Sequence, residues 1–349
     1  MAAAATGPSA AYGEAEFNAA QLIADAVNAN GGINGQQIRL ITRDDGGDAD
    51  KAVAITQEFI SQGVDAILGS ANSGPALAAG PLAEEAGVLY VTAMAANPGI
   101  TVDDQGNVRK WVFRIAQSDN TNAEFLADYA FATNDRVALL SDTSGYGSGG
   151  RAALQEYLGS IGKELVADET YESGTPDLTA QLQKIAAADA DVVITWSIIP
   201  DVATIAKGMD SLGLDIPILG LPALDGNTIC ELAGPAAVGI RHLNTWDPDK
   251  PEAAAASAEW QQTLNEPLDN YFGASSYDAM KLLVSAFEAA GHDREAVRSA
   301  LESTTNHIGA LGKVGSGVSF SATSHDGLGK DGILVKEITD EACARQIIN

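Results

Sequence analysis

The sequence predicts an α/β protein built as two doubly wound lobes, each on a parallel sheet. Three observations predict it. Strand-length apolar runs alternate with helical-period segments almost throughout. The strand runs end in small-residue turns, and one of these, Gly69-Ser70-Ala71-Asn72-Ser73-Gly74, leads straight into a helix. The 349 residues give length for two domains of about 100–200 residues each. No Pro/Ser/Gly-rich linker separates the halves, so packed lobes are expected, not beads on a flexible string.

Taken in order, residues 14–30 read as a helix stopped by Gly31-Gly32. Residues 37–44 read as a strand running into the acidic turn Asp44-Asp45-Gly46-Gly47-Asp48, and 50–62 as the next helix. Ala66-Ile67-Leu68 is a strand whose following helix begins beside serine hydroxyls with unpaired backbone N–H groups, a natural seat for an anion. Residues 88–92 form another strand and bring the turn 93–98 to the same carboxyl-end edge, where open α/β sheets bind ligands. Residues 111–114 add a strand, and Gln117-Ser118-Asp119-Asn120 opens a helix.

A second series follows. Strands are expected at 137–141, 165–167, 191–196 and 216–220, with helices at 151–161, 178–187 and 203–212. Long helices return at 252–264, 276–290 and 294–304, and a strand at 333–337 closes the chain.

Forty-seven acidic residues against 20 basic ones give a net charge of −27. No Lys/Arg cluster is present to replace phosphate counterions, which argues against nucleic acid or an anionic membrane surface as partner. No apolar run of about 18 residues is present, so no transmembrane helix is expected. Residues 1–7 lack a basic leader and a signal-length apolar stretch. The two cysteines, Cys230 and Cys343, are too few and too far apart for a zinc site or a CxxC motif; they are either unpaired and buried, or a disulfide closing the tail onto a helix. The four histidines show no metal-binding spacing, and the aspartates at 44–50 do not follow an EF-hand loop, so no metal is expected. Neither small-residue turn offers a nucleophile or base, which favours holding a small molecule over transforming it.

The segments 6–13 (Thr-Gly-Pro-Ser-Ala-Ala-Tyr-Gly), 30–35 (Asn-Gly-Gly-Ile-Asn-Gly), Asp44-Asp45, the 70–75 turn, 142–147 and Ser276-Tyr277-Asp278-Ala279 together resemble the solute-binding proteins of the branched-chain amino acid transporter family, across nearly the whole chain. The resemblance implies the type I periplasmic-binding fold, two doubly wound lobes joined by a three-crossover hinge. Lobe one takes residues 1–117 and 245–319, and lobe two takes 118–244 and 320–349. Cys230 and Cys343 then share a lobe, which favours the disulfide.

In amino acid binders of that family, the ligand carboxylate is held by a serine in the first turn and by amides plus a threonine in the second. Ser73 falls on the first position, and Met94, Ala95 and Ala96 on the second, with Ala96 standing where the threonine is expected. The resemblance also implies Tyr12 over the ligand, Tyr146 facing the cleft from lobe two, and further contacts at Trp196 and Ile198. The acidic partner of an α-ammonium falls near Pro222, with Asp225 the closest carboxylate. Since an unpaired buried ammonium is costly, these departures point to a carboxylate or amide ligand beside a standard amino acid. The family's first strand is hydrophobic, whereas only Met1 to Ala5 precede the Thr-Gly-Pro turn, so the N-terminal strand of lobe one is expected to be missing.

The implied function is a non-enzymatic, cofactor-free protein that captures a small molecule in an interlobe cleft and delivers it to an ABC permease. It is expected in the periplasm or lipid-anchored outside the cell, its leader not included in this sequence. One alternative is a cytoplasmic ligand sensor of the same fold. Another is a dinucleotide-dependent enzyme, because Gly145-Tyr146-Gly147-Ser148-Gly149-Gly150 matches GxGxxG with Asp168 about 20 residues on; the three residues between strand and first glycine, one of them Asp142, argue against it.

Overall fold

The computed structural model describes residues 1–348, so Asn349, the last residue of the expected second lobe, lies outside it. The chain divides into two units: residues 1–118 with 246–332, and residues 119–245 with the tail from Ile333.

The first unit opens with β1 (Ala2–Ala3), α1 (Ala10–Ala29), β2 (Arg43–Asp44), α2 (Ala49–Gln62), β3 (Ala66–Leu68), α3 (Ser73–Ala86), β4 (Leu89–Thr92) and β5 (Val112–Arg114). β3, β4 and β5 pair in parallel in that order. β1 pairs in parallel with β2, and Ala2 also bridges Gly69, so β1 stands between β2 and the end of β3. A side chain at Gly69 would place its Cβ 1.8 Å from the Ala2 carbonyl oxygen, which is why that approach needs glycine. Local chemistry sets the helix ends. Asp48 caps α2 by accepting from the Lys51 N–H at 2.9 Å, and left-handed Gly63 and Gly87 stop α2 and α3. Beneath lie Ile55, Phe59, Ile67, Tyr90, Ile100 and Val112, all buried.

The second unit runs α4 (Asp119–Thr133), β6 (Val137–Asp142), α5 (Gly145–Ile161), β7 (Ala167–Tyr171), α6 (Thr179–Ala187), β8 (Val192–Trp196), α7 (Ile199–Leu212), β9 (Ile218–Gly220), α8 (Thr228–Ala233) and β10 (Arg241–Asn244). The chain then returns to the first unit with α9 (Pro251–Leu264), α10 (Tyr271–Ala290) and α11 (Arg294–Glu302). It ends in the second with β11 (Leu334–Ile338) and β12 (Arg345–Ile348). The seven strands lie in the order β12-β11-β10-β9-β8-β6-β7, parallel except for the antiparallel last two. Cys230 on α8 and Cys343 are disulfide-bonded, with Cα atoms 5.7 Å apart.

Residues 320–332, expected in lobe two, are part of the first unit. The reason is hydrogen bonding: the Arg114 N–H donates to His325 O, the Gly327 N–H to Arg114 O and the Ser319 N–H to Gly327 O. The neighbouring segment is held from α10, where Asp278 accepts the Ala310 and Leu311 N–H groups, each at 2.8 Å. Fully buried Lys250 adds donations from Nζ to the carbonyls of Leu311 and Ser316. The Ser276-Tyr277-Asp278-Ala279 motif is therefore scaffolding, with Tyr277 donating its hydroxyl to Glu259 at 2.5 Å.

Candidate ligand site

In a doubly wound sheet the crevice forms where strand order reverses, outside the carboxyl ends of the two strands that diverge there. In the first unit β1 lies between β2 and β3, so that point is the turn after β1 and the turn after β3. In the second, β6 lies between β7 and β8, so it is the turns after β6 and β8.

The first unit gathers Ser70, Ser73 and the 93–98 turn at this edge. Ser73 opens α3, is 2% exposed, and its Oγ accepts the Asn97 N–H at 3.3 Å. The Ser70 N–H donates to the Tyr90 hydroxyl at 2.6 Å, and Thr92 Oγ1 donates to Ser70 O while accepting the Ala95 N–H. Burial pushes the Tyr90 phenol well above its ordinary value, so it remains a neutral hydroxyl. Met94, Ala95 and Ala96 are buried side by side in the second turn, and Met94 O accepts from the Tyr271 hydroxyl at 3.4 Å. Tyr12, one turn into α1, packs edge-to-face on Phe272 with ring centroids 4.7 Å apart. The structure thus brings Ser73 and residues 94–96 together and sets Tyr12 against the aromatic start of α10.

One organiser of this edge escaped the sequence reading. Arg114, the last residue of β5, is fully buried and donates to the carbonyls of Ala95 and Asn97, to Thr101 Oγ1, and to Asp326 at 2.6 Å. It fixes the second turn from below. A cation closing the apolar run Trp111-Val112-Phe113 was the available signal, because a buried charge demands partners.

In the second unit, Ser144 caps α5 by accepting from the Tyr146 and Gly147 N–H groups, and this sets half-buried Tyr146 in the first turn. Ile198, partly exposed, is the residue before α7. Trp196 is 0% exposed and packs under α5; a Cβ on Gly150 would lie 1.9 Å from its ring. Likewise a Cβ on Gly147 would lie 2.1 Å from the Asp142 carbonyl oxygen. Two glycines of the GxGxxG-like run thus have packing reasons to be glycine.

Pro222 begins a buried 3-10 turn. Asp225 is 1% exposed and lies between Lys336 Nζ at 3.8 Å and Arg345 Nε at 3.7 Å. Burial alone would raise its carboxyl pKa, but Lys336, His242 and Arg345 outweigh it and hold the group below its usual range. The other acids of these strand ends are also held inside. Asp201 accepts from the Ser173 hydroxyl and the Gly174 N–H, and Asp142 accepts from the Ser144 N–H with burial raising its pKa. What the two edges present is small side chains, hydroxyls and helix N-termini, a chemistry suited to holding an anionic or amide group. Among the described residues no group of three His, Cys, Asp or Glu side chains is placed to hold a metal ion.

The family described as periplasmic binding protein matches residues 1–327. The chain belongs to that family. A curated relative, the Leu/Ile/Val-binding protein BraC3 of Rhizobium johnstonii, is 30% identical over 323 residues, spanning 91% of this chain and 87% of that protein. Among solved structures, the branched-chain amino acid transporter substrate binding protein LivJ of Streptococcus pneumoniae, in complex with isoleucine, is 26% identical with a TM-score of 0.85 over 99% of this chain and 97% of that one. An ABC transporter solute binding protein of R. palustris in complex with benzoate shares the fold, at 21% identity and a TM-score of 0.85 over 100% and 94% of the two chains. The type I periplasmic-binding fold and the class of extracytoplasmic, ligand-binding transport proteins are thereby established for this family member.

Proposed function

We propose that the chain is the non-catalytic capture component of an ABC importer, taking up a small carboxylate or amide and delivering it to the permease. The observation that carries this reading is the strand-end cluster of the first unit: the start of α3, Ser73 and the 93–98 turn, cross-tied into one polar cradle. Unpaired N–H groups at a helix start favour an anionic or carbonyl oxygen. Tyr12, Met94, Ala95 and Ala96 add to this half of the site, and Tyr146, Ile198, Trp196 and Pro222 to the other. Trp196 acts by supporting Tyr146 from the core and not by touching ligand. A ligand engaging both halves stabilises the bound conformation by its differential affinity, and the permease reads that conformation.

The choice of ligand class rests on Asp225. Its charge is already balanced by Lys336 and Arg345, so it is a poor partner for an α-ammonium, and an ammonium left unpaired in a dry site costs several kcal/mol. The Cys230–Cys343 bond supports an oxidising, extracytoplasmic setting over a cytoplasmic sensor.

A thermal-shift screen tests the reading, because a ligand that binds the native state raises the midpoint. Benzoate, aliphatic carboxylates and amides are expected to shift it. A shift with leucine, isoleucine or valine alone would return the ligand to the amino acid class and require an ammonium partner. A cooperative melt moved by none of these compounds would sink the carboxylate or amide assignment.

A further inference from the structure

The first unit carries a cavity of about 390 Å3 away from its strand-end cluster, lined by Met1, residues 36–41, residues 62–66, Leu68 and the apolar face of α10. Its geometry is that of a missing strand. Ala2 pairs in parallel with Arg43 on one side and with Gly69 on the other, so the lane between the two flanking segments is one strand wide. Upstream of Ala2 the same lane is bounded by residues 38–41 and 65–68, with β4 on the far side of β3 and no strand in the lane among the described residues. Met280, Leu283, Val284 and Phe287 of α10 form an apolar wall of the cavity. The Met1 amine stands at its end and donates to Ile41 O at 2.6 Å.

We infer that this lane is a binding site for an extended apolar peptide supplied in trans, which lies parallel to β2 and β3 and ends in a free carboxylate at the Met1 amine. Two features select that occupant. Backbone edges facing each other across one strand's width are completed by main-chain hydrogen bonds, and alternate side chains then fall on the apolar wall. The amine at the lane's end suits a terminal carboxylate. Fully buried Glu16, which interacts electrostatically with that amine, is held protonated by burial and by Asp45, so it does not repel one. At about 3.3 Å per residue, the span opposite residues 65–68 takes four to five residues.

The probe is a fluorescein-labelled Lys-Lys-Val-Ile-Val-Ile-Val peptide with a free carboxyl terminus, titrated with the full chain and read by anisotropy. Saturable one-to-one binding is expected, weakened at least about tenfold by N-methylating alternate peptide bonds and by Leu40→Glu at the lane's half-exposed edge. No binding up to millimolar protein, or equal binding of the N-methylated peptide, would overturn the inference. So would a concentration-dependent dimer in sedimentation that the peptide leaves intact, because a second copy would then hold the lane. Displacement of the peptide by a carboxylate or amide hit from the thermal-shift screen would place it in the transport site and equally reject the lane.

Discussion

Ser73 concentrates the argument at the residue scale. Its hydroxyl accepts the Asn97 N–H and so joins the two turns that form the cradle. Ser73→Ala is expected to weaken binding of the screened ligand at least about tenfold, about 1.4 kcal/mol, in a calorimetric titration, with the unliganded melting point nearly unchanged. Gly150 gives a contrasting test of stability. A methyl there meets the Trp196 ring at 1.9 Å, so Gly150→Ala is expected to cost about 1–3 kcal/mol in urea unfolding, and Gly150→Ala combined with Trp196→Leu should recover part of the loss. Ser73 was legible in the sequence because a serine at the junction of a small-residue turn and a helix has local chemistry that needs no tertiary knowledge. Arg114 was not assigned its role, because its meaning depends on carbonyls 17 to 19 positions away and on Asp326, 212 positions away. Asp225 was found as the nearest carboxylate, but its neutralisation by Lys336 and Arg345 depends on the tail folding back, which no local pattern announces.

At the scale of elements, periodicity located most strands and helices and missed their ends where a cap or a partner strand decides. The helix expected from Ser276 begins at Tyr271, because Asn270 accepts the Gly273 N–H and starts the helix earlier. The strand expected over 37–44 is reduced to Arg43–Asp44, since a strand exists only where a neighbour pairs with it, and β1 supplies two residues. β12 went unread: Arg345–Ile348 is too short to show a period and is ordered by pairing with β11. The disulfide is the strongest single tie among these elements. It closes a span of 113 residues, and for loops of that size the expected contribution is about 2–5 kcal/mol. Guanidinium unfolding with and without a phosphine reductant should show a loss of that order. A Cys230→Ser, Cys343→Ser double variant should match the reduced protein and be insensitive to reductant.

For the whole molecule, charge and pH set the predictions. The surplus of 27 negative charges opposes compactness by self-repulsion. Raising NaCl from about 0.01 to 1 M, which shortens the screening length from about 30 to 3 Å, should therefore raise the melting midpoint. His242 adds a leg to the pH profile. Burial lowers its pKa to about 4, against the opposing pull of Asp225, so as pH falls the unfolded chain binds this proton first. Its contribution is complete above about pH 6.5 and is lost between there and pH 4, on the order of 2–3 kcal/mol. Glu16, Asp45, Asp142 and Asp278, whose carboxyl pKa values burial raises, act with the opposite sign: their penalty grows as pH rises above about 4. Comparing parent with His242→Gln isolates the histidine leg as the difference in slope below pH 6.5. The order of the large sheet has a last consequence, which concerns synthesis. β10 ends at Asn244, and its antiparallel neighbour begins at Leu334. Through the intervening stretch, at roughly 5–20 residues per second, a newborn chain leaves one side of β10 uncovered for several seconds. Such an edge is open to mispairing. A ribosome stalled just short of Leu334 should therefore hold a nascent chain that aggregates or recruits chaperones, and release of the final residues should end that exposure.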